Sequence, residues 1–238
     1  MQYNPIIVAL DVTSADAAKS LVTQLSGTVG AYKVGLELFN SAGLDIFRVL
    51  KEADPGAQIF YDAKFHDIPN TVAGAVRAAV ANGIWMVNVH ASGGRAMMAA
   101  AVQAASKADP KPLVIAVTIL TSLDDSDLKN DLGVNRTAAA QVVALAKLAK
   151  DSGCDGVVCS PHEIEAIKQA CGTEFMVITP GVRPAGAALG DQKRVLTPGE
   201  AVSRGADYIV VGRPITASES PAESARQILA EIQQSIAK

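Results

Sequence analysis

Aromatic side chains are scarce in this chain, 4% of 238 residues, and there is no basic excess, since the formal charge at pH 7 is −3. With few stacking platforms and no cationic footprint, nucleic acid is not expected as a partner, and any anionic ligand must be met by local cations. Long apolar runs are also missing. They break off well before the roughly 18 residues that a membrane span needs, so a soluble protein with no membrane partner is expected. The first strand-like run begins within a few residues of Met1, leaving no room for an export leader, and a cytoplasmic location is the expectation. Cysteine is limited to Cys154, Cys159 and Cys171, an odd number without a Cys-x-x-Cys pair, in keeping with a reducing compartment. With His162 they follow Cys-x4-Cys-x2-His-x8-Cys, which matches no common ligand pattern, so buried thiols are expected and no metal. The first strand-to-helix junction, Asp11-Val12-Thr13-Ser14, lacks the Gly-x-Gly-x-x-Gly turn of a dinucleotide site.

What the chain does have is a repeated grammar of short apolar run followed by helical pattern. Hydrophobic residues make up 49% and charged ones 19%, which excludes disorder. The runs are Ile6 to Asp11, Ala31 to Leu36, Ala57 to Asp62, Ile84 to His90, Leu113 to Thr118, Gly156 to Cys159, Phe175 to Thr179 and Tyr208 to Gly212. Amphipathic stretches follow, among them Arg136 to Asp151, Pro161 to Ala170, Pro198 to Gly205 and Pro221 to Ile236. Strands without a polar alternate face are buried on both sides, as parallel sheets covered by helices require. Eight such units with no compositional break predict a single-domain (β/α)8 barrel over residues 1–238, with a doubly wound sheet as the runner-up.

In a barrel the active site is built at the C-terminal ends of the strands, and Asp11, Asp62, Lys64, Thr118 and Arg213 all fall there. The stretch Asp62-Ala63-Lys64-Phe65-His66-Asp67 is the densest. A two-residue period places Asp62 and Lys64 on one face, with Asp67 free to return from the following turn. Two carboxylates roughly 4 Å apart repel by about 4 kcal/mol at an effective dielectric near 20, so a cation must lie between them. The bland alternative is a surface salt bridge, contributing roughly 0 to 1 kcal/mol. Lys33 stands inside the second run and, if it faces inward, needs acids, which Asp11 and Asp62 can supply; otherwise it snorkels outward. At the other end of the chain, Thr179 to Pro184 and Val211 to Pro214 close the last two strands, where barrels often bind phosphate through backbone N–H groups and arginine. The polar, Gly- and Ala-rich segment between them predicts a phosphate-binding lid at about residues 180–195.

Taken together, Asp62-Ala63-Lys64-Phe65-His66-Asp67-Ile68-Pro69-Asn70-Thr71 resembles the Asp-x-Lys-x-x-Asp-Ile-Pro-Asn-Thr signature of the bacterial orotidine 5′-phosphate decarboxylase family. The likeness spans essentially the whole chain, through Ala9-Leu10-Asp11, Lys33-Val34-Gly35, Thr118 to Ser122, Pro180 to Arg183 and Val211-Gly212-Arg213. The resemblance implies cofactor-free, metal-free decarboxylation of orotidine 5′-monophosphate to uridine 5′-monophosphate. It implies Lys64 as proton donor to carbon-6, with Lys33, Asp62 and the partner subunit's Asp67 completing a charged array. Asp11 with Lys33 would hold the ribose, Thr121 and Ser122 would lie at the pyrimidine, and Gln192 would link lid, base and phosphate. Gly212, Arg213 and, less directly, Arg183 would take the phosphate. It also implies a homodimer in which Asp67 and Thr71 reach the neighbouring site. The shorter Asp-x-Lys-x-x-Asp occurs as well in magnesium-dependent sugar-phosphate decarboxylases and synthases, which stand as the alternative, although a cation at Lys33 competes with a metal. His66 and His90 are assigned packing or supporting contacts.

Overall fold

Apolar runs with both faces buried form eight short strands: β1 (Ile6–Ala9), β2 (Ala31–Val34), β3 (Ile59–Phe65), β4 (Met86–His90), β5 (Leu113–Val117), β6 (Gly156–Val158), β7 (Met176–Pro180) and β8 (Tyr208–Val211). The computed structural model of the chain describes residues 3–184 and 196–236. Each strand pairs in parallel with the next, and β8 returns to β1 through Ile6 opposite Ile209, closing the sheet into the expected barrel. Parallel neighbours need a crossover, and helices supply it. These are α1 (Ala15–Leu25), α2 (Leu36–Ala42), α3 (Asp45–Ala53), α4 (Pro69–Ala81), α5 (Gly94–Ala105), α6 (Asp125–Asn130), α7 (Ala138–Asp151), α8 (Ile164–Cys171), α9 (Pro198–Ser203), α10 (Arg213–Thr216) and α11 (Pro221–Ile236). Among the described residues no helix is long and apolar enough to cross a membrane.

The strand period of two divides the core. Ile7, Ala9, Ala31, Phe60, Met86, Ile115, Ile178 and Val210 fill the inside of the ring. Their alternates, such as Ile6, Val8, Tyr32, Ile59, Val114, Val177 and Ile209, pack outward against the helices. The inward series continues upward from these apolar layers into Asp11, Lys33, Asp62 and Gly212, so the barrel changes from dry to polar along its own axis.

Helix boundaries follow capping chemistry. The expected helix from Arg136 starts at Ala138 because Thr137 caps it, its hydroxyl accepting from the Ala140 N–H. The stretch from Pro161 opens as one 3-10 turn, Pro161–Glu163, before α8 begins. Asp124 and Asp127 form a capping box that starts α6, a helix the periodicity did not announce. The largest departure is β3, which does not end at Asp62 but continues to Phe65 through an irregularity in its pairing with β4.

One close approach restricts residue choice in the ring. A Cβ added at Gly156 would collide with the backbone oxygen of Met176 on the adjacent β7, where only the backbone can give way. Gly156→Ala is therefore expected to destabilise the barrel by about 1–3 kcal/mol through overpacking, read as a lower urea midpoint at unchanged slope. An unchanged midpoint would show that the strands separate freely there.

Candidate active site

The polar end of the barrel opens into a cavity of about 570 Å³, within the range of small-molecule sites. Among its lining residues are Asp11, Lys33, Asp62, Lys64, Thr121, Arg183, Gly212 and Arg213. Eight of the expected site residues thus meet at one place, contributed by strand ends from β1 to β8. Phe60, Val117, Val158, Pro180 and Val210 make the apolar floor and walls.

A chain of alternating charge crosses the first three strands. The Lys33 ammonium lies 3.1 Å from Asp11 and 3.3 Å from Asp62, and the Lys64 ammonium lies 2.6 Å from the other oxygen of Asp62. Lys33 therefore faces inward. The Lys33 and Asp62 side chains are 11% and 12% exposed, whereas that of Asp11 is 60% exposed, so the array runs from solvent into the barrel. Burial pushes the Asp62 carboxyl up, but Lys33, Lys64 and two hydrogen bonds outweigh it and hold the group below its usual range.

The backbone that carries Lys64 is unusual. Tyr61 pairs with Val87 and Phe65 with Val89, so Asp62, Ala63 and Lys64 on β3 oppose Asn88 alone on β4. Lys64 adopts φ 51°, the only non-glycine residue with positive φ among those described, at a cost of about 1 kcal/mol or more. The two lysine and aspartate side chains do share one side, as a regular strand would place them, but a bulge delivers Lys64 there. Asn88 fills the gap. Its Oδ1 accepts from the Lys64 backbone N–H at 2.7 Å and its Nδ2 donates to Asp62 at 2.7 Å. This residue was missed in the sequence reading, although a polar side chain between Val87 and Val89 is the same signal that marked Lys33.

Three expected residues lie elsewhere. Asp67 does not return to Asp62 and Lys64 within the chain; it is exposed, and its carboxylate accepts from the Ile68 N–H at 2.6 Å ahead of α4. The turn after Phe65 points it away, because Pro69 starts the helix at once. Thr71 is likewise exposed on α4, outside the cavity lining. Gln192, with most of the expected lid, lies outside the described residues. Thr118 sits at the end of β5 but is buried, its hydroxyl donating to the Val158 carbonyl at 2.9 Å. His66 and His90 pack together with ring centres 5.3 Å apart; burial, with the charges of His66 and Lys64, pushes His90 below its usual range against the pull of Asp62. The three cysteines are free and buried, and no group of acids, histidines and cysteines among the described residues is arranged to hold a metal.

The depressed Asp62 carboxyl makes stability pH-dependent. Because its folded value is below the usual 3.8, its contribution is complete above that value and is lost as the pH falls through the folded value. Asp62→Asn is expected to be less stable at neutral pH by roughly 3 kcal/mol, since it leaves Lys33 with Asp11 alone and Lys64 without its carboxylate. The gap to the parent should narrow on acidification below about pH 4 in urea unfolding series. A gap that stays constant with pH would refute this assignment.

Comparison with known proteins identifies the family of the chain. The model of the orotidine 5′-phosphate decarboxylase / HUMPS family matches residues 4–228. The chain is 54% identical over 233 residues to an orotidine 5′-phosphate decarboxylase of Moorella thermoacetica, covering 96% of this chain and 92% of that protein. It is 53% identical to one of Idiomarina loihiensis, covering 98% and 99%. A crystal structure of orotidine 5′-phosphate decarboxylase from Lactobacillus acidophilus superposes with a TM-score of 0.85 at 38% identity, over 96% of this chain and 99% of that one. With the barrel, the charged strand ends and these relatives in agreement, the chain belongs to the orotidine 5′-phosphate decarboxylase / HUMPS family.

Proposed function

We propose that this protein converts orotidine 5′-monophosphate to uridine 5′-monophosphate and carbon dioxide, the decarboxylation that completes pyrimidine nucleotide synthesis. The observation that carries the reading is the Lys64 ammonium, held 2.6 Å from Asp62 at the rim of a cavity that also takes Arg213 and Gly212 into its wall. Relatives more than half identical over nearly the whole chain bear that enzyme's name.

The chemistry needs little else. Cleaving the bond from carbon-6 to the carboxylate releases carbon dioxide and leaves the electron pair on carbon-6, where no π system delocalises it. An ammonium already aimed at that position stabilises the developing charge and then transfers its proton, forming the new C–H bond. In this reading Lys64 is the acid. Asp62 holds it, and as an anion it opposes the substrate carboxylate until carbon dioxide has left. Lys33 neutralises Asp62 from the other side and, with Asp11, takes the ribose hydroxyls. Thr121 contacts the pyrimidine. Gly212, Arg213 and Arg183 bind the phosphate, and Gln192 on a lid at about 180–195 joins phosphate to base. Binding energy gathered at the phosphate positions the reacting carbon.

The active form in this reading is a cytoplasmic homodimer. Asp67 and Thr71 stand exposed beside Ile68, an isoleucine 67% open to solvent, as a surface meant for a second copy would present them. There the partner's Asp67 would complete the array. Three free buried thiols suit a reducing compartment.

Lys64→Ala is expected to lower turnover by about 10³-fold or more, followed as loss of orotate absorbance, while uridine monophosphate affinity stays within severalfold. Parent-like turnover in that variant would end the proposal. Excess chelator should leave the parent rate unchanged, because the Lys33 ammonium occupies the space between Asp11 and Asp62 that a magnesium ion would need; inhibition reversed by magnesium would move the protein to the sugar-phosphate branch. For the shared site, equal amounts of inactive Lys64→Ala and Asp67→Ala chains, mixed and allowed to exchange, should recover about a quarter of parent activity, since half the dimers carry one intact site. No recovery after proven exchange would place both residues in one chain's site.

A further inference from the structure

The bulge in β3 leaves one buried side chain touching both halves of the Asp62–Lys64 pair, and that side chain is neither an acid nor a base. Asn88 is 1% exposed, on β4, opposite the three residues Asp62, Ala63 and Lys64. Its two polar atoms are used at opposite ends of the pair: Oδ1 accepts from the Lys64 backbone N–H, and Nδ2 donates to the Asp62 oxygen that also receives the Lys64 ammonium. The orientation of the amide is chemically forced. A backbone N–H can only donate, so the carbonyl oxygen must face Lys64, and the NH₂ is left for the carboxylate.

We propose that Asn88 is the positioning residue that sets where the Lys64 ammonium stands, by clamping the bulged backbone of Lys64 and the orientation of the Asp62 carboxylate with one rigid side chain. This rests on the decarboxylase reading above. The physical reasoning has two parts. Lys64 in the left-handed region has no ladder partner of its own on β4, and without Asn88 its part-buried N–H would lose its protein acceptor, so the bulge would relax toward a regular strand. Asp62 would also lose its rigid amide donor, leaving the orientation of the carboxylate to two flexible lysine side chains. Either change moves the ammonium while leaving the phosphate wall at Gly212 and Arg213 untouched, because that wall is built by β8 on the far side of β1. Displacement of a reacting group by about 1 Å is enough to cost about 10²-fold in rate.

The test separates positioning from general support of the cavity. In Asn88→Ala, kcat for orotidine monophosphate is expected to fall by roughly 10- to 100-fold, with the dissociation constant for uridine monophosphate within about threefold of the parent. A kcat within about threefold of the parent in the folded variant would overturn the proposal, and so would a loss of uridine monophosphate affinity equal to the loss in kcat. Asn88→Asp keeps the size and the acceptor for Lys64 but replaces the donor to Asp62 with an oxygen, so it carries the test if the alanine variant does not fold. It should show the same split, and parent-like turnover in it would overturn the proposal. If the parent itself leaves orotidine monophosphate unchanged, the decarboxylase reading fails; if the parent turns over and both variants match it, only the role of Asn88 fails.

Discussion

One carboxylate shared by two ammoniums governs the polar end of this barrel. Asp62 sits 3.3 Å from Lys33 and 2.6 Å from Lys64, and Asp62 and Lys33 are buried deeply enough that neither charge would be stable alone. The interaction is costly to assemble and hard to vary, because a neutral residue at either lysine leaves the buried Asp62 carboxylate with one ammonium in place of two. That constraint explains why Lys33 can occupy a strand position that every neighbouring strand fills with an apolar residue. It also explains why the array tapers outward to Asp11, whose exposure lets water carry part of its solvation.

The fold supports this end by keeping the rest apolar. Below the charges, Phe60, Met86, Ile115 and Ile178 fill the ring, so the lysines and acids rest on a floor that excludes water from beneath. Electrostatic interactions gain strength in such a site, and the few donors present count for more than they would at a surface. The wall supplied by Gly212, Arg213 and Arg183 brings two guanidinium groups into the same cavity as the Asp62 pair.

Much of this was legible in the residues themselves. Eight unalternating apolar runs could be read as a parallel barrel because burial on both faces removes the polar face; the strand ends then located Asp11, Asp62, Lys64, Gly212 and Arg213, and a charge inside an apolar run marked Lys33. What escaped the reading was local backbone geometry. A two-residue period cannot foresee that β3 inserts extra residues opposite Asn88, nor that Pro69 starts α4 so early that Asp67 is carried away from its own chain's cavity. Asn88 was overlooked because an asparagine carries no charge to betray its burial, although its place between two valines held the clue. Thr118 was read as a site residue from position alone; its hydroxyl is taken up by the carbonyl of Val158 on the adjacent strand.

The seam where β8 meets β1 joins the two ends of the chain at the site. Asp11, Lys33, Asp62, Lys64 and Asn88 all come from the first four strands, whereas Arg183, Gly212 and Arg213 come from the last two, and the two groups become neighbours only through the pairing of Ile6, Ile7 and Val8 with Ile209, Val210 and Val211. The closure that completes the architecture is therefore also what sets the two groups face to face, and a chain without its eighth strand would hold one half of a site with no other half to meet.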